Sequence, residues 1–388
     1  MKILVVAPQP FYEERGTPIA VDHLVRALTE GGHEVDLVTY PMGQSRAYRG
    51  LRIIRTWRLP GLATVSPGFS LAKILYDGLL IGTTLRQLRR ECYDCVHAVE
   101  EAVFWVRPLA RWYGLPFVYD MDSVLSEQLA AAFQVGTRLR GLMQRLERAP
   151  IRQAAAVVPV CDALATYAAE QGARHITVLK DISLLEGKSS CGVVEDLRKT
   201  YEISGALLLY VGNLERYQGI DLLLEAFKLL ADQDSAHLVV IGGKAADVER
   251  YRSWCTAQGL TRRVHFTGPR PVAHLQAYLQ QADVLVSPRL EGTNTPMKIY
   301  SYLHTGIPVV ATNLPTHTQV LTDAVAFLCD PTPEAMANTL LEVLRDREHA
   351  RQRAGRAVDL IEREHSYATF KQRLLTLYAE LDALRHAS

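Results

Sequence analysis

The segment with the densest chemical content covers residues 291–312 and reads EGTNTPMKIYSYLHTGIPVVAT. Thr295 has the side chain of a helix N-cap and Pro296 suits the first helical position, so we predict that a helix begins there. Its free backbone amides, together with Lys298 in the first turn, would form a site for an anion. The alternative for Lys298 is a side chain whose charged end extends into solvent at the edge of a cleft.

A similar loop follows the first apolar run of the chain and reads RGTPIAVDHLVRALTEGG. Thr17 is the expected cap and Pro18 the expected first helical residue. Gly16 lacks a side chain, so it would let a ligand approach the backbone closely. A tight turn that requires positive φ explains Gly16 equally well, and both explanations remain open.

The elements that would position these loops are strands and helices in alternation. Apolar runs of strand length recur with amphipathic segments between them, which is typical of an open parallel sheet. Each half of the chain has such a set, so we predict two doubly wound α/β domains. The predicted strands are 2–7, 34–40, 51–57, 94–99, 116–121 and 155–160, then 207–212, 237–243, 264–268, 283–288, 308–312 and 326–330.

The boundary between the halves is predicted in residues 181–197, which lose the alternation and gather Gly and Ser. The two domains are then 1–182 and 183–388, with the option that the last helix crosses back to the N-terminal domain. Two doubly wound domains that face each other would place the carboxyl ends of their strands on one cleft.

Composition favours an ordinary globular protein. The chain is 48% hydrophobic and 22% charged, and its formal net charge of +1 gives no reason to expect nucleic acid as a partner. The six cysteines are too few and too scattered for a disulfide scaffold, and the CYDC pair lacks the second pair that zinc would need. Neither a signal peptide nor a run long enough to span a membrane is apparent. We therefore expect a cytoplasmic protein.

Three segments of the C-terminal half resemble family 4 of the retaining glycosyltransferases, which have the GT-B fold. They are YVGNLERYQGIDLLLEAF, VHFTGPRPVAHLQAYLQQADVLVSP and LEGTNTPMKIYSYLHTGIPVVATNLP, and GTPIAVDHLVRALTEGGHEVDLVT and YDCVHAVEEA extend the resemblance to the N-terminal half. The resemblance implies two Rossmann-like domains facing across a cleft. It implies a UDP- or GDP-sugar donor bound mainly by the second domain, a glycan or lipid-linked acceptor bound mainly by the first, and no required metal or cofactor.

The chain departs from the family pattern on the first loop of the second domain. The family has an arginine and a lysine there, which neutralise the donor diphosphate. Asn213 and Gln218 occupy these positions, and Arg216 between them is either a substitute cation or a solvent-facing side chain. We expect Asn213 and Gln218 to be neutral hydrogen-bond partners of the donor, and Lys298 to take over part of the missing charge.

The family also has two glutamates in the segment first described. Glu291 matches the one near the transferred sugar, although it could instead neutralise Arg289. Counting back from the glycine that ends the helix places Ser301 where the family has its second, ribose-binding glutamate. Asn294 and Thr295 complete the predicted donor loop.

On the acceptor side the candidates follow two strands of the first domain. Asp122 stands where the family has a histidine near the reacting sugar, and its alternative role is to cap the next helix. With Glu291 it forms the predicted catalytic pair. His97 and Glu100 are expected to follow a strand end and to line the acceptor side, unless this polar cluster only caps the next helix.

A basic segment bears on where the protein works. Residues 41–76 contain no acid, while Trp57 and Phe69 accompany six cations, namely Arg46, Arg49, Arg52, Arg55, Arg58 and Lys73. We predict that residues 46–90 rest on anionic lipid at the inner face of the membrane, or else form a solvated face over a core helix.

Three functions follow from these features. We favour hexose transfer from a nucleotide sugar with retention of configuration, in which the leaving diphosphate itself accepts the acceptor's proton. A non-catalytic GT-B binding or scaffold protein would keep the fold but lack the charged residues that bind the nucleotide sugar, as this chain does at several positions. A transferase that uses a sugar-phosphate or lipid-linked donor would not need all the contacts with a nucleotide's diphosphate and ribose.

Overall fold

The computed structural model describes residues 1–62, 70–126, 137–185, 194–231 and 235–387. Phe69 of the predicted lipid patch and residues 186–193 of the predicted hinge lie outside this part of the chain. The chain divides into two compact units, Met1–Lys180 with Ala368–Ser388 and Asp181–Tyr367.

Strands and helices alternate along each unit. The first contains β1 (Lys2–Val6), α1 (Gly16–Glu30), β2 (Glu34–Thr39), β3 (Leu51–Arg55), α2 (Leu71–Arg90), β4 (Cys95–Val99), α3 (Val103–Tyr113), β5 (Phe117–Met121), α4 (Thr137–Gln153), β6 (Ala156–Pro159) and α5 (Asp162–Gln171). The second contains α6 (Leu197–Thr200), β7 (Leu207–Val211), α7 (Ile220–Ala231), β8 (His237–Ile241), α8 (Ala245–Ala257), β9 (Val264–Gly268), α9 (Leu275–Leu279), β10 (Val284–Ser287), α10 (Met297–His304), β11 (Val309–Thr312), α11 (Pro315–Thr318), β12 (Phe327–Cys329), α12 (Pro333–Arg345) and α13 (Arg347–Glu364). The last helix is α14 (Tyr367–Ala387).

Both units are built on parallel six-stranded sheets. The strand orders are β3-β2-β1-β4-β5-β6 and β12-β11-β10-β7-β8-β9. All twelve predicted strands are confirmed, each within about two residues at either end. The predicted fold class, two doubly wound Rossmann-like domains of the GT-B type, is therefore confirmed.

Strand β7 shows how the sequence builds such a sheet. Its residues Leu207–Tyr210 are fully buried. Leu208 and Tyr210 pack with α7 and α12 in one apolar cluster, whereas Leu207 and Leu209 pack with α10 and α13 in another. Because both faces are covered by helices, the strand has a continuous apolar run rather than an alternating one.

The strand order fixes where ligands are expected. In each sheet the order reverses beside the first strand, between β1 and β4 and between β7 and β10. Ligands of doubly wound domains bind outside the carboxyl ends of the strands at such reversals. The loops that follow these four strands are therefore the first places to look for a site.

Helix α14 packs on the sheet of the first unit. The hydroxyl of Tyr378 is 2.8 Å from Nδ1 of His97, and Lys371 forms an ion pair of 3.0 Å with Glu30. Both Tyr378 and His97 are fully buried. No helix in the described ranges is both long and apolar enough to cross a lipid bilayer.

Candidate functional site

A cluster of cations lies at the strand reversal of the second unit. Lys298, in the first turn of α10, extends its Nζ to the loop after β7 and donates to Oε1 of Gln218 at 3.0 Å. The same Nζ lies 4.0 Å from the centroid of the Tyr210 ring, a cation–π distance. The loop after β7 and the start of α10, predicted separately as donor-binding segments, therefore meet at one point.

Burial dominates the electrostatics of Lys298. It lowers the pKa of the ammonium group well below its ordinary value, and the nearby Arg289 lowers this pKa further. Gln218, which stands where the family has a lysine, accepts a hydrogen bond from Lys298. A second lysine at position 218 would place two ammonium groups against each other.

Arg289 is the site residue that sequence reasoning missed as a ligand-binding candidate. Its Nε donates to the backbone oxygen of Glu291 at 2.6 Å, and its Nη2 donates to Oδ1 of Asn294 at 3.2 Å. The side chain is 9% exposed, and burial lowers its pKa. The idea that Glu291 neutralises Arg289 is wrong, because the contact uses the backbone carbonyl and leaves the exposed carboxylate elsewhere. An arginine just beyond the carboxyl end of a buried strand was the available signal.

The two cations have no carboxylate partner among the described residues. The pKa of Lys298 is shifted by burial and by Arg289, and the pKa of Arg289 is shifted by burial, Tyr217 and Tyr210. None of these residues is an acid that could neutralise the two cations. Partly desolvated cations without a counter-charge are costly to a fold. A ligand anion would supply that counter-charge.

Two glycines allow this arrangement. Gly212 has φ 154°, and a Cβ there would lie 3.3 Å from Nζ of Lys298. Gly292 has φ 131°, and a Cβ there would lie 2.1 Å from Nη2 of Arg289. A side chain at Gly292 would therefore displace the guanidinium group.

The start of α10 differs from the prediction by one residue. Pro296 is the N-cap, with an extended ψ of 131°, and the helix begins at Met297. Thr295 therefore does not cap the helix. Its hydroxyl, in a side chain that is 3% exposed, makes no hydrogen bond to any residue in the described ranges. Buried hydroxyl groups normally have a partner, so a ligand atom at the helix mouth would meet an available donor or acceptor here.

The remaining donor candidates are divided between surface and interior. Asn213 is exposed and its amide donates to the hydroxyl of Tyr217 at 3.2 Å. Arg216 is also exposed, as expected if its side chain faces solvent and does not replace the missing cations. Ser301 is fully buried and its hydroxyl oxygen accepts from the backbone N–H of Leu184 at 3.0 Å. The Ser301 side chain therefore binds the chain preceding the unit's first helix and is not accessible to a ribose.

His317 supports the site from behind. His317 lies on α11 and is fully buried. Its Nδ1 is 2.9 Å from the backbone oxygen of Thr312, and its Nε2 is 2.9 Å from the Ser287 hydroxyl. Burial lowers its pKa to about 4, so the neutral ring connects the ends of β10 and β11. Since Arg289 follows β10, this bridge helps to fix its position.

At the reversal of the first unit, α1 begins at Gly16 with Arg15 as its N-cap, so Thr17 is not the cap. Gly16 does not have positive φ, and a Cβ there would meet nothing within 4 Å. The tight-turn explanation of Gly16 is therefore wrong. Open space remains beside the backbone at this position.

The end of β4 separates His97 from Glu100. His97 lies within the strand and is enclosed, so the expectation that it follows the strand end is wrong. Its Nε2 lies 3.3 Å from Oδ2 of Asp120 on the neighbouring strand. Glu100 is the first residue beyond β4 and has a left-handed φ of 48°. Burial, followed by the charge of Glu101, raises the pKa of the Glu100 carboxyl to about 7.

This raised pKa gives a testable dependence of stability on pH. An unfolded glutamate titrates near pH ~4.3, so between about pH 4.3 and 7 the folded state binds more protons than the unfolded state, and stability falls as pH rises. Glu100→Gln keeps the neutral form and should lose this component. Urea unfolding should show equal stability of the two proteins at pH 4 and a more stable variant at pH 8. Exposed Glu170→Gln is the control, and a Glu100 variant that followed the wild type at both pH values would contradict the raised pKa.

Asp122 is held on a fixed segment. It is half-buried directly after β5. The buried carboxylate of Glu147 on α4 accepts from the backbone N–H of Leu125 at 2.9 Å and from the Ser126 hydroxyl at 2.6 Å. The Tyr167 hydroxyl also donates to Glu147, at 3.2 Å. These bonds fix the backbone that follows Asp122.

Comparison with known families covers most of the chain in two pieces. Residues 195–358 match the family described as glycosyl transferases group 1, and residues 15–180 match the glycosyl transferase 4-like domain. A D-inositol 3-phosphate glycosyltransferase of Corynebacterium efficiens is 27% identical over 183 residues, which is 45% of this chain and 42% of that protein. The match thus spans less than half the length of this relative.

Solved structures with the same fold match over almost the whole chain. Sucrose-phosphate synthase from Thermosynechococcus elongatus has a TM-score of 0.79 at 19% identity, covering 99% of each chain. Alr3699/HepE of Anabaena, solved in complex with UDP-glucose, has a TM-score of 0.74 at 17% identity, covering 98% of this chain and 100% of that one. At these identities the likeness concerns the fold.

Proposed function

Because the chain belongs to family 4 of the glycosyltransferases and has the GT-B fold, we propose that it moves a hexose from a nucleotide-sugar donor to a glycan or lipid-linked acceptor, with retention of anomeric configuration. The second unit binds the donor and the first unit binds the acceptor. The reaction takes place in the cytoplasm, with no metal or cofactor required.

One observation carries this proposal, namely that Lys298 and Arg289 converge at a strand reversal without a carboxylate partner among the described residues. A diphosphate supplies the missing negative charge. Gln218 and Tyr210 hold the Lys298 ammonium group from one side, and Asn294 holds the guanidinium group. A side chain at Gly212 would come within 3.3 Å of the ammonium group, so glycine leaves that approach to the ligand.

The chemical step follows from this placement. Stabilising the leaving diphosphate lowers the barrier to breaking the bond between sugar and phosphate, because negative charge develops there in the transition state. Glu291, whose backbone oxygen binds Arg289 and whose carboxylate is exposed, contacts the transferred sugar. Asp122 contacts the sugar or the acceptor. A phosphate oxygen takes the acceptor hydroxyl's proton on the face from which the diphosphate leaves, so no protein nucleophile is needed.

Ligand-induced stabilisation tests the donor assignment. A ligand that binds only the folded state at 100 times its dissociation constant stabilises the protein by about 2.7 kcal/mol, which is a shift of several degrees in Tm. We expect UDP or GDP, and the matching nucleotide sugar, to raise Tm, and free hexose to leave it unchanged.

The outcomes separate the candidate functions. A shift with a nucleotide and release of that nucleotide in the presence of acceptor support the proposal. A shift without turnover favours the binding or scaffold protein. No shift with any nucleotide, but a shift with a sugar phosphate, favours the alternative donor.

A further inference from the structure

Three adjacent helices of the first unit expose the same kinds of side chain, namely arginines and large apolar residues. Helix α3 packs against both α2 and α4, and all three contribute to the apolar cluster on one face of the sheet. Their outward residues form what we call the arginine face. It consists of Leu71, Ile74, Leu75, Ile81, Arg86, Arg89 and Arg90 on α2, Phe104, Arg107, Arg111 and Trp112 on α3, and Arg145, Leu146 and Arg148 on α4.

The stripe on α3 is the clearest part of this face. Positions 104, 107, 108, 111 and 112 have helical spacing and hold only aromatic residues, arginine and proline. Trp112 is 84% exposed and Phe104 is 38% exposed, while Val106 and Ala110 on the opposite side are buried. Water-exposed aromatic rings between arginines are unusual on a monomer that contacts only solvent.

The neighbouring helices continue the pattern. On α2, Leu71 is 79% exposed and Leu75 is 53% exposed, and the helix ends in exposed Arg89 and Arg90. On α4, Leu146 is 60% exposed. Most of the large apolar side chains exposed in the described part of the first unit therefore lie on these three helices.

The acids of these helices point inward. Asp77 on α2 accepts a hydrogen bond from Tyr40, and Glu147 on α4 is the buried carboxylate that binds Leu125 and Ser126. The outward stripes consequently carry arginine charge with no acid beside it on the same helices.

In the basic segment predicted from the sequence to contact lipid, most cations are bound by other groups of the first unit. Arg52 is paired with Asp36, Lys73 with Glu101, and Arg46 lies 3.7 Å from Asp22. Arg55 donates to backbone oxygens in the loop after β2. Four of the six cations predicted to rest on lipid therefore bind within the unit. Arg49, Arg58 and Trp57 remain exposed there.

We propose that the arginine face, and not the cations at positions 46–58, docks this protein on an anionic lipid bilayer. Bilayer phosphates match the arginine charges, and Trp112, Phe104 and Leu146 enter the interface between headgroups and acyl chains. Exposed apolar and aromatic side chains lie beside exposed arginines on α3 and α4, and a bilayer offers both an anionic headgroup layer and an apolar interior to such a surface. The proposal depends only on the first unit and stands apart from the donor assignment.

Vesicle binding by the full chain tests the proposal. The protein should sediment with vesicles of phosphatidylcholine containing about 30% phosphatidylglycerol, and much less with phosphatidylcholine alone or at high salt. Each cation near an anionic surface contributes about fivefold to partitioning, so the double variant Arg111→Glu with Arg145→Glu should lose at least about 20-fold. Arg262→Glu with Arg351→Glu on exposed positions of the second unit is the control with the same change in charge.

Tryptophan fluorescence locates the contact. Binding should shift the emission of the wild type to the blue, and Trp112→Phe should remove most of that shift. Trp57→Phe should keep it, although Trp57 is 74% exposed. Equal binding of the two double variants, a shift that depends on Trp57 instead, or no preference for anionic vesicles would each overturn the proposal. Unchanged thermal unfolding of the variants shows that they remain folded.

Discussion

Lys298→Met is expected to weaken the binding of UDP by about 30- to 100-fold and, at the same time, to raise the stability of the fold. The loss of a charge-assisted contact to a phosphate corresponds to roughly 2 to 2.7 kcal/mol of binding free energy. Methionine has a similar length and fills the same space against the ring of Tyr210. It removes a partly desolvated cation that has no carboxylate partner in the described part of the chain, so the ligand-free variant should be more stable.

The stability gain should depend on pH in a defined direction. Burial lowers the pKa of Lys298 in the folded state, while an unfolded lysine titrates near ~10.4. Between these two values the unfolded state binds more protons than the folded state, so wild-type stability rises with pH across that window. The advantage of the methionine variant should therefore be larger at neutral pH than near pH ~10.

Lys228→Met is the matched control. Lys228 also donates to a glutamine, Oε1 of Gln258 at 2.7 Å, but it is exposed on α7. Calorimetric titration of UDP and urea unfolding should both leave this control close to the wild type. UDP affinity in Lys298→Met that matched the control would contradict the role of Lys298.

Glu291→Gln is expected to lower kcat by about 100-fold and to leave the dissociation constant of UDP unchanged. The substitution keeps the shape of the side chain and the backbone oxygen that Arg289 binds, so the cation cluster should stay in place. It removes a negative charge that would stabilise the positive charge developing on the sugar in the transition state. Interactions specific to the transition state commonly contribute about 2.7–4 kcal/mol, or roughly 100- to 1000-fold in rate.

Separate measurement of binding and turnover makes this prediction specific. UDP titration reports the diphosphate contacts, and single-turnover release of the nucleotide reports the step that uses Glu291. Exposed Glu249→Gln on α8 is the control for loss of one surface charge. A variant with weaker UDP binding and normal kcat would place Glu291 at the nucleotide instead of the sugar.

The strands could be predicted because burial on both faces leaves a strong local signal. A short run such as Leu207–Val211, which is apolar at every position, is typical of a strand at the centre of a parallel sheet, where both faces are buried. Helix starts were less secure. In both predicted caps a threonine precedes a proline, and in neither does the threonine cap the helix, which begins at Gly16 in one case and Met297 in the other. Which of several adjacent residues caps a helix depends on tertiary contacts that the local sequence does not show.

Charge partners could not be predicted because they are distant in sequence. Lys73 pairs with Glu101, and Arg52 with Asp36, so a segment without acids of its own nonetheless has several cations paired with acids elsewhere in the chain. Lys298 likewise bonds to Gln218, and no local pattern in either segment reveals that contact. The arginine face was missed for a related reason, since its stripes belong to three helices that only the fold brings side by side.

The most direct test is a crystal structure of the protein with bound UDP. The account predicts that an oxygen of the terminal phosphate lies within about 3 Å of Nζ of Lys298, with a second contact to the guanidinium group of Arg289 or to the start of α10. A diphosphate bound more than about 6 Å from Nζ of Lys298, with Lys298 still bonded only to Gln218, would contradict it.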